Sequence, residues 1–166
     1  MKWRLVDRVV AFAPWERISA AKALSFEETT LLERWGREGD VPPALLLESC
    51  VEAARWLVAA SSGFTRTAAL SQCDRFEFGR VGPTVPLTVS VFVTSRSAER
   101  LEVRAECRAG KVGTDTILEG QNGICPHFPL VAQGQLALEL LPLAGSFDRE
   151  WVMALWGDLR RNVPPA

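Results

Sequence analysis

The side chains in this sequence that could move a proton or attack a carbonyl fall into three separate places. Glu48 and Glu52 stand one helical turn apart in the run from Ala44 to Ala60, which is otherwise apolar apart from Ser49 and Arg55. A carboxylate on such a helix is costly as an anion unless it is paired, and one kept neutral by its surroundings can give up a proton. Arg34 lies upstream in a polar stretch; its guanidinium stays protonated at physiological pH, so it can hold negative charge but cannot accept a proton. His127 is the only histidine, in Cys125-Pro126-His127-Phe128-Pro129. With Cys125 alone beside it, the set is too sparse for a zinc, which takes three or four protein ligands. The other cysteines, Cys50, Cys73 and Cys107, form no C-x-x-C pair, so no metal site is expected.

These groups need elements to carry them. Val41-Pro42-Pro43 leads into the apolar run, and proline is tolerated in a first helical turn because its missing N–H has no partner there anyway. The residues from Pro42 to Ala60 are mostly Ala, Leu, Glu and Arg, good helix formers, with Asp40 placed to cap and Ser61-Ser62-Gly63 to end the helix. A helix apolar on nearly every side is expected to be surrounded by protein. Before it, two strands are predicted at Trp3–Phe12 and Arg17–Leu24, joined by the turn Ala13-Pro14-Trp15-Glu16. After it come strands at Thr67–Phe78, Thr84–Thr94, Arg100–Ala109 and Leu130–Leu141, from alternation and β-branched content. A long loop fills about 110–129, and a C-terminal amphipathic helix at about 147–161 presents Trp151, Leu155 and Leu159 on one face. Trp56 on the central helix reads as packing, and Trp151 and Trp156 as docking the terminal helix on the sheet or on a partner subunit. Strands, one buried helix, then antiparallel strands make an α+β pattern, and a curved sheet wrapped around the helix is the simplest way to bury it.

Composition narrows the function classes. With 19 basic and 20 acidic residues, a formal charge of -1 and no basic block, the chain lacks the footprint of a nucleic-acid binder. The apolar run is short of the ~20 residues a membrane span needs and carries three charges. The start, MKWRLVDRVV, does not read as a secretory leader. A single cytoplasmic domain over residues 1–166 with reduced thiols is the expectation.

The segment ERWGREGDVPPALLLESCVE, Glu33 to Glu52, resembles the signature of the beta-hydroxyacyl-carrier-protein dehydratases, in which a Gly-His-Phe-Pro loop leads into a proline-started helix bearing an acidic residue. RLVDRVVAFAPWERISAAKALS and CDRFEFGRVGPTVPLTVSVFV are similar to the flanking strands of that family. The resemblance covers about Trp3 to Gly110. It implies a hotdog fold, dimerised edge to edge, and a protein acting on thioesters of acyl-carrier protein or CoA in fatty-acid or polyketide-type synthesis, without a cofactor.

An ungapped match puts Glu48 in the acid position, Pro42 at the helix-starting proline with Pro43 after it, Trp35 at the aromatic, and Arg34 where the family has its basic histidine. The match therefore implies a dehydratase (hydro-lyase) framework without its base, impaired or completed by a partner subunit, the chain being expected as a homodimer or as a heterodimer with an active homologue. His127 on the long loop is the one residue that could replace that base. Two other readings stay open: a hotdog acyl-CoA or acyl-carrier-protein thioesterase, with Glu48 activating water and Arg34 holding the oxyanion, and a non-catalytic scaffold in which Arg34 and Glu48 form an ion pair. Glu52, where the family has an amide as the match is read, is expected at a solvated or substrate-contacting interface position.

Overall fold

The structure, a computed structural model, describes residues 5–23, 40–82, 85–110, 129–143 and 148–161. Its elements run β1 (Arg8–Ala13), β2 (Arg17–Lys22), α1 (Pro43–Ser61), β3 (Arg66–Phe78), β4 (Leu87–Arg96), β5 (Arg100–Ala109), β6 (Leu130–Pro142) and α2 (Arg149–Leu159). The strands form one antiparallel sheet in the order β1-β2-β4-β5-β6-β3. The first strand, β1, and the strand after α1, β3, are thus the two edges, and α1 lies across the face between them. This α+β arrangement of a helix cradled by a curved antiparallel sheet is the hotdog fold.

Alternation along the strands produces the cradle. Ile18 and Ala20 of β2, Leu87, Val89 and Val91 of β4, Leu101, Val103, Ala105 and Cys107 of β5, and Leu136 and Leu138 of β6 all join the core. From α1 they receive Leu46, Cys50, Ala53, Ala54, Leu57 and Val58. Each fully buried Leu or Val contributes about 1.5–3 kcal/mol, so this stripe holds the helix.

The opposite sheet face is polar. Ser19 and Ser90 share a hydrogen bond of 2.9 Å, and Glu106 is held by Arg108 at 3.1 Å and Arg104 at 3.5 Å.

Two details of the sequence reading change. Pro42, not Asp40, is the N-cap, and no side chain caps α1; Asp40 instead pairs with Arg80 at 2.7 Å. Pro42 does that work through its backbone, its carbonyl accepting from the N–H groups of Leu45 and Leu46. Nor is α1 enclosed on every side, because Ala44, Glu48 and Arg55 are exposed.

The terminal helix also turns differently. Val152 and Leu159 are buried and Trp156 docks, while Trp151 stays 42% exposed. Trp156 stacks on Trp56 of α1 at 5.9 Å and meets Phe12 and Phe64 edge-on at 5.1 Å and 6.3 Å. Asp148 caps the helix by accepting from the Glu150 N–H.

The edge strand β3 departs from a regular ladder at two places, between Leu70 and Gln72 and between Asp74 and Glu77. At the first, the Ser71 hydroxyl donates to the Ala137 carbonyl at 2.9 Å. At the second, Arg75 has a φ of 50°, and Phe76 is pressed against β6. Only glycine fits opposite it: a Cβ on Gly134 would lie 2.4 Å from Phe76 Cδ2 and 2.7 Å from its Cα. Gly157 in α2 is the contrast, with nothing within 4 Å of a built Cβ.

Gly134→Ala is therefore expected to destabilise by about 1–3 kcal/mol through overpacking. Gly157→Ala should stabilise by about 0.5–1 kcal/mol through helix propensity. Urea denaturation of both variants checks this, and a Gly134→Ala protein as stable as the parent would contradict the bulge packing.

Candidate functional site

The helix α1 carries both candidate carboxyls about 40° apart on its outer face, and their surroundings lean them toward different flanks. At 3.6 residues per turn, positions seven apart return to within about 20° of one another. Glu48 and Arg55 are such a pair, and Arg55 marks their direction, since its Nε donates to the Ala68 carbonyl of β3 at 3.1 Å. Glu48 thus lies on the β3 flank of the helix. It is exposed and makes no hydrogen bond or ion pair among the described residues.

Glu52 turns toward the β1 flank. Its Oε1 accepts from the Trp56 indole N–H at 3.4 Å, and the backbone of Leu5 gives it a further hydrogen bond. The carboxyl is half-buried, and burial lifts its pKa above the ordinary glutamate value, against the pull of Trp56, Leu5, Arg55 and Lys22. Lys22, on the helix-facing side of β2, is only 3% exposed and pairs with Asp7 at 3.7 Å. Asp7 also accepts from the Ala23 N–H at 2.6 Å. Glu52, Lys22 and Asp7 therefore tie together α1, the end of β2 and the segment leading into β1. Of the solvated or interface position expected of it, Glu52 does not take the solvated one: it is half-buried in a polar clasp.

Pro42 and Pro43 start the helix at the same end. The Val41 N–H donates to the Val81 carbonyl at 2.8 Å, bringing the segment after β3 against the helix start. Arg34, Trp35 and His127, with Cys125, lie outside the described residues.

The described thiols offer no nucleophile at neutral pH. Burial pushes Cys107 up to about 12 and Cys50 well above the ordinary range, where both stay protonated. Exposed Cys73 is also raised, by partial burial and then by Asp74. Among the described residues no three His, Cys, Asp or Glu side chains gather to hold a metal, and no helix is long and apolar enough to cross a membrane. Of the two candidate carboxyls on α1, Glu48 is the one left without a partner among the described residues.

The flank positions could not be read from the sequence, because i and i+4 share a face in projection. Which strand lies on each side is set by the order β1-β2-β4-β5-β6-β3, which does not follow the chain. The Lys22–Asp7–Glu52 clasp was missed for the same reason; a lysine at an apolar-phase position of β2 was its only sequence signal.

Glu52 makes a clean pH prediction. Because its folded pKa is raised, its contribution to stability is fully present below the unfolded glutamate value and is lost as pH rises through the folded value. Wild type should lose more stability than Glu52→Gln between about pH 4 and pH 7. Parallel denaturation curves across that range would refute the assignment.

No protein-family model matches the chain, and a search of curated proteins finds no match. Solved structures do match its fold. Conserved protein PA5202 from Pseudomonas aeruginosa superposes with a TM-score of 0.56 at 16% identity, over 81% of this chain and 87% of that one. Thioesterase HI1161 from Haemophilus influenzae gives 0.55 at 10% identity, over 84% and 81%. The smu.793 protein from Streptococcus mutans, solved bound to acetyl CoA, gives 0.53 at 11% identity, over 81% and 88%. Identities this low carry the fold alone: the chain is a hotdog-fold protein.

Proposed function

We propose that this chain binds acyl thioesters, CoA esters foremost, and hydrolyses them with Glu48 as the activating carboxylate. The observation that carries this reading is the division of labour on α1: Glu52 is engaged in the clasp, whereas Glu48 on the β3 flank is exposed and has no partner among the described residues. Structures sharing the fold include a thioesterase and a complex with acetyl CoA, which favours thioester chemistry over the dehydration implied by the sequence resemblance.

In the proposed step a water molecule gives a proton to Glu48 while its oxygen attacks the thioester carbonyl. The C–S bond of the resulting tetrahedral oxyanion then breaks, and the proton passes to the departing thiolate. Arg34 is the candidate for holding the oxyanion, because its charge is permanent.

A second reading keeps one specific feature of the sequence, the acid position filled by Glu48 and the histidine position by Arg34. In it the chain is the base-less subunit of a carrier-protein dehydratase, and a homologue supplies the histidine. The outer edge of β3 pairs with no described strand, which leaves a strand edge for such a partner or for a second copy of this chain.

The discriminating assay offers the purified protein acyl-CoA and β-hydroxyacyl thioesters in parallel. The hydrolase reading expects release of free thiol, reduced about 10²–10⁴-fold in kcat by Glu48→Gln. Thiol release unaffected by that substitution would reject Glu48 as the base. Dehydration that starts only when an active homologue is added would favour the second reading.

A further inference from the structure

The second bulge of β3 builds a feature that the proposed chemistry has not used. Phe76 packs over Gly134 on the helix-facing side of the sheet and touches the core. Phe78 pairs across the ladder with Ala132, which is itself in the core, so it shares that face. The two rings stand 5.0 Å apart, and Phe78 remains 40% exposed. Three residues beyond it, Val81 bonds to Val41 at the start of α1. The aromatic pair thus sits on the β3 flank at the starting end of the helix, the flank and the half of the helix that carry Glu48.

We infer that Phe76 and Phe78 form the wall against which the acyl chain lies, with Phe78 limiting the chain length accepted. This rests on the thioester reading above. A scissile carbonyl placed at Glu48 leaves its acyl chain to run along α1, and toward the helix start it meets an apolar surface built by these two rings. Phe76 cannot retreat, because the backbone of Arg75 and Gly134 fixes it against β6. Phe78 leans on the Phe76 ring on one side only among the described residues, and its exposed ring is the part that a longer chain would meet.

The test measures binding rather than turnover, so that it stands apart from the role of Glu48. Butanoyl-, octanoyl- and hexadecanoyl-CoA are titrated calorimetrically into the full chain, into Phe78→Ala and into Phe78→Trp. At a position 40% exposed, both variants leave the core intact. Phe78→Ala is expected to raise the hexadecanoyl-to-butanoyl affinity ratio about tenfold or more, the scale on which apolar pockets discriminate chain length, and Phe78→Trp to lower it. A ratio that stays within about twofold in both variants, or moves the opposite way, overturns the assignment of Phe78 and leaves thioester binding standing. If the unsubstituted chain binds none of the three, the thioester reading falls, and this inference falls with it.

Discussion

A long apolar helix has to find cover, and here the sheet supplies the main part of it. The sheet takes the stripe of Leu46, Cys50, Ala53 and Leu57, and the remaining arc of α1 is left to whatever lies along its two flanks. Because the sheet edges are β1 and β3, those flanks differ in kind. On the β1 side the aromatic cluster of Phe12, Trp56 and Trp156 and the Lys22–Asp7 pair close over the helix. On the β3 side the bulged edge strand is the element that stands beside it among the described residues. The chemistry available to the chain follows from that asymmetry.

The same constraint explains why two glutamates one turn apart behave differently. Burying a carboxylate is unfavourable unless donors meet it, and Glu52 is met by an indole, a backbone N–H and a nearby ammonium. These offset the cost only in part, which is why its pKa stays raised. Glu48 stays in solvent on its own flank, as a group must that is to meet a substrate. The bulge at Arg75 serves that flank as well: it bends the edge and presses Phe76 into the space that Gly134 leaves.

Much of the fold was legible in the sequence because its signals are local. Proline at the start and apolar, non-branched residues through α1 marked the helix, and alternation marked β5 with its exact bounds and β3 and β6 to within a residue. Where short-range signals ran out, the reading slipped. The strand foreseen at Trp3–Phe12 begins only at Arg8, because Leu5 to Asp7 bend to reach Glu52 and Lys22. In α2 the face foreseen through Trp151, Leu155 and Leu159 is rotated, since Trp156 finds three aromatic partners from other elements. The candidate site was legible in its residue types but not in its geometry. Glu48 and Glu52 could both be named, yet what separates them is strand order and a bulge, and neither has a local sequence signature. The resemblance led to the right fold, and the structures that match this chain, at 10–16% identity, bear on that fold alone.

The central claim is that substrate meets α1 on the flank of Glu48 and not on that of Glu52. A crystal structure of the chain with a non-hydrolysable acyl-CoA thioether tests it most directly. The account predicts the carbon that replaces the thioester carbonyl within water-bridging reach of the Glu48 carboxylate, on the β3 side, with the Glu52–Trp56 hydrogen bond unchanged. An acyl group lodged on the β1 side, beside Glu52 and Lys22, would contradict it.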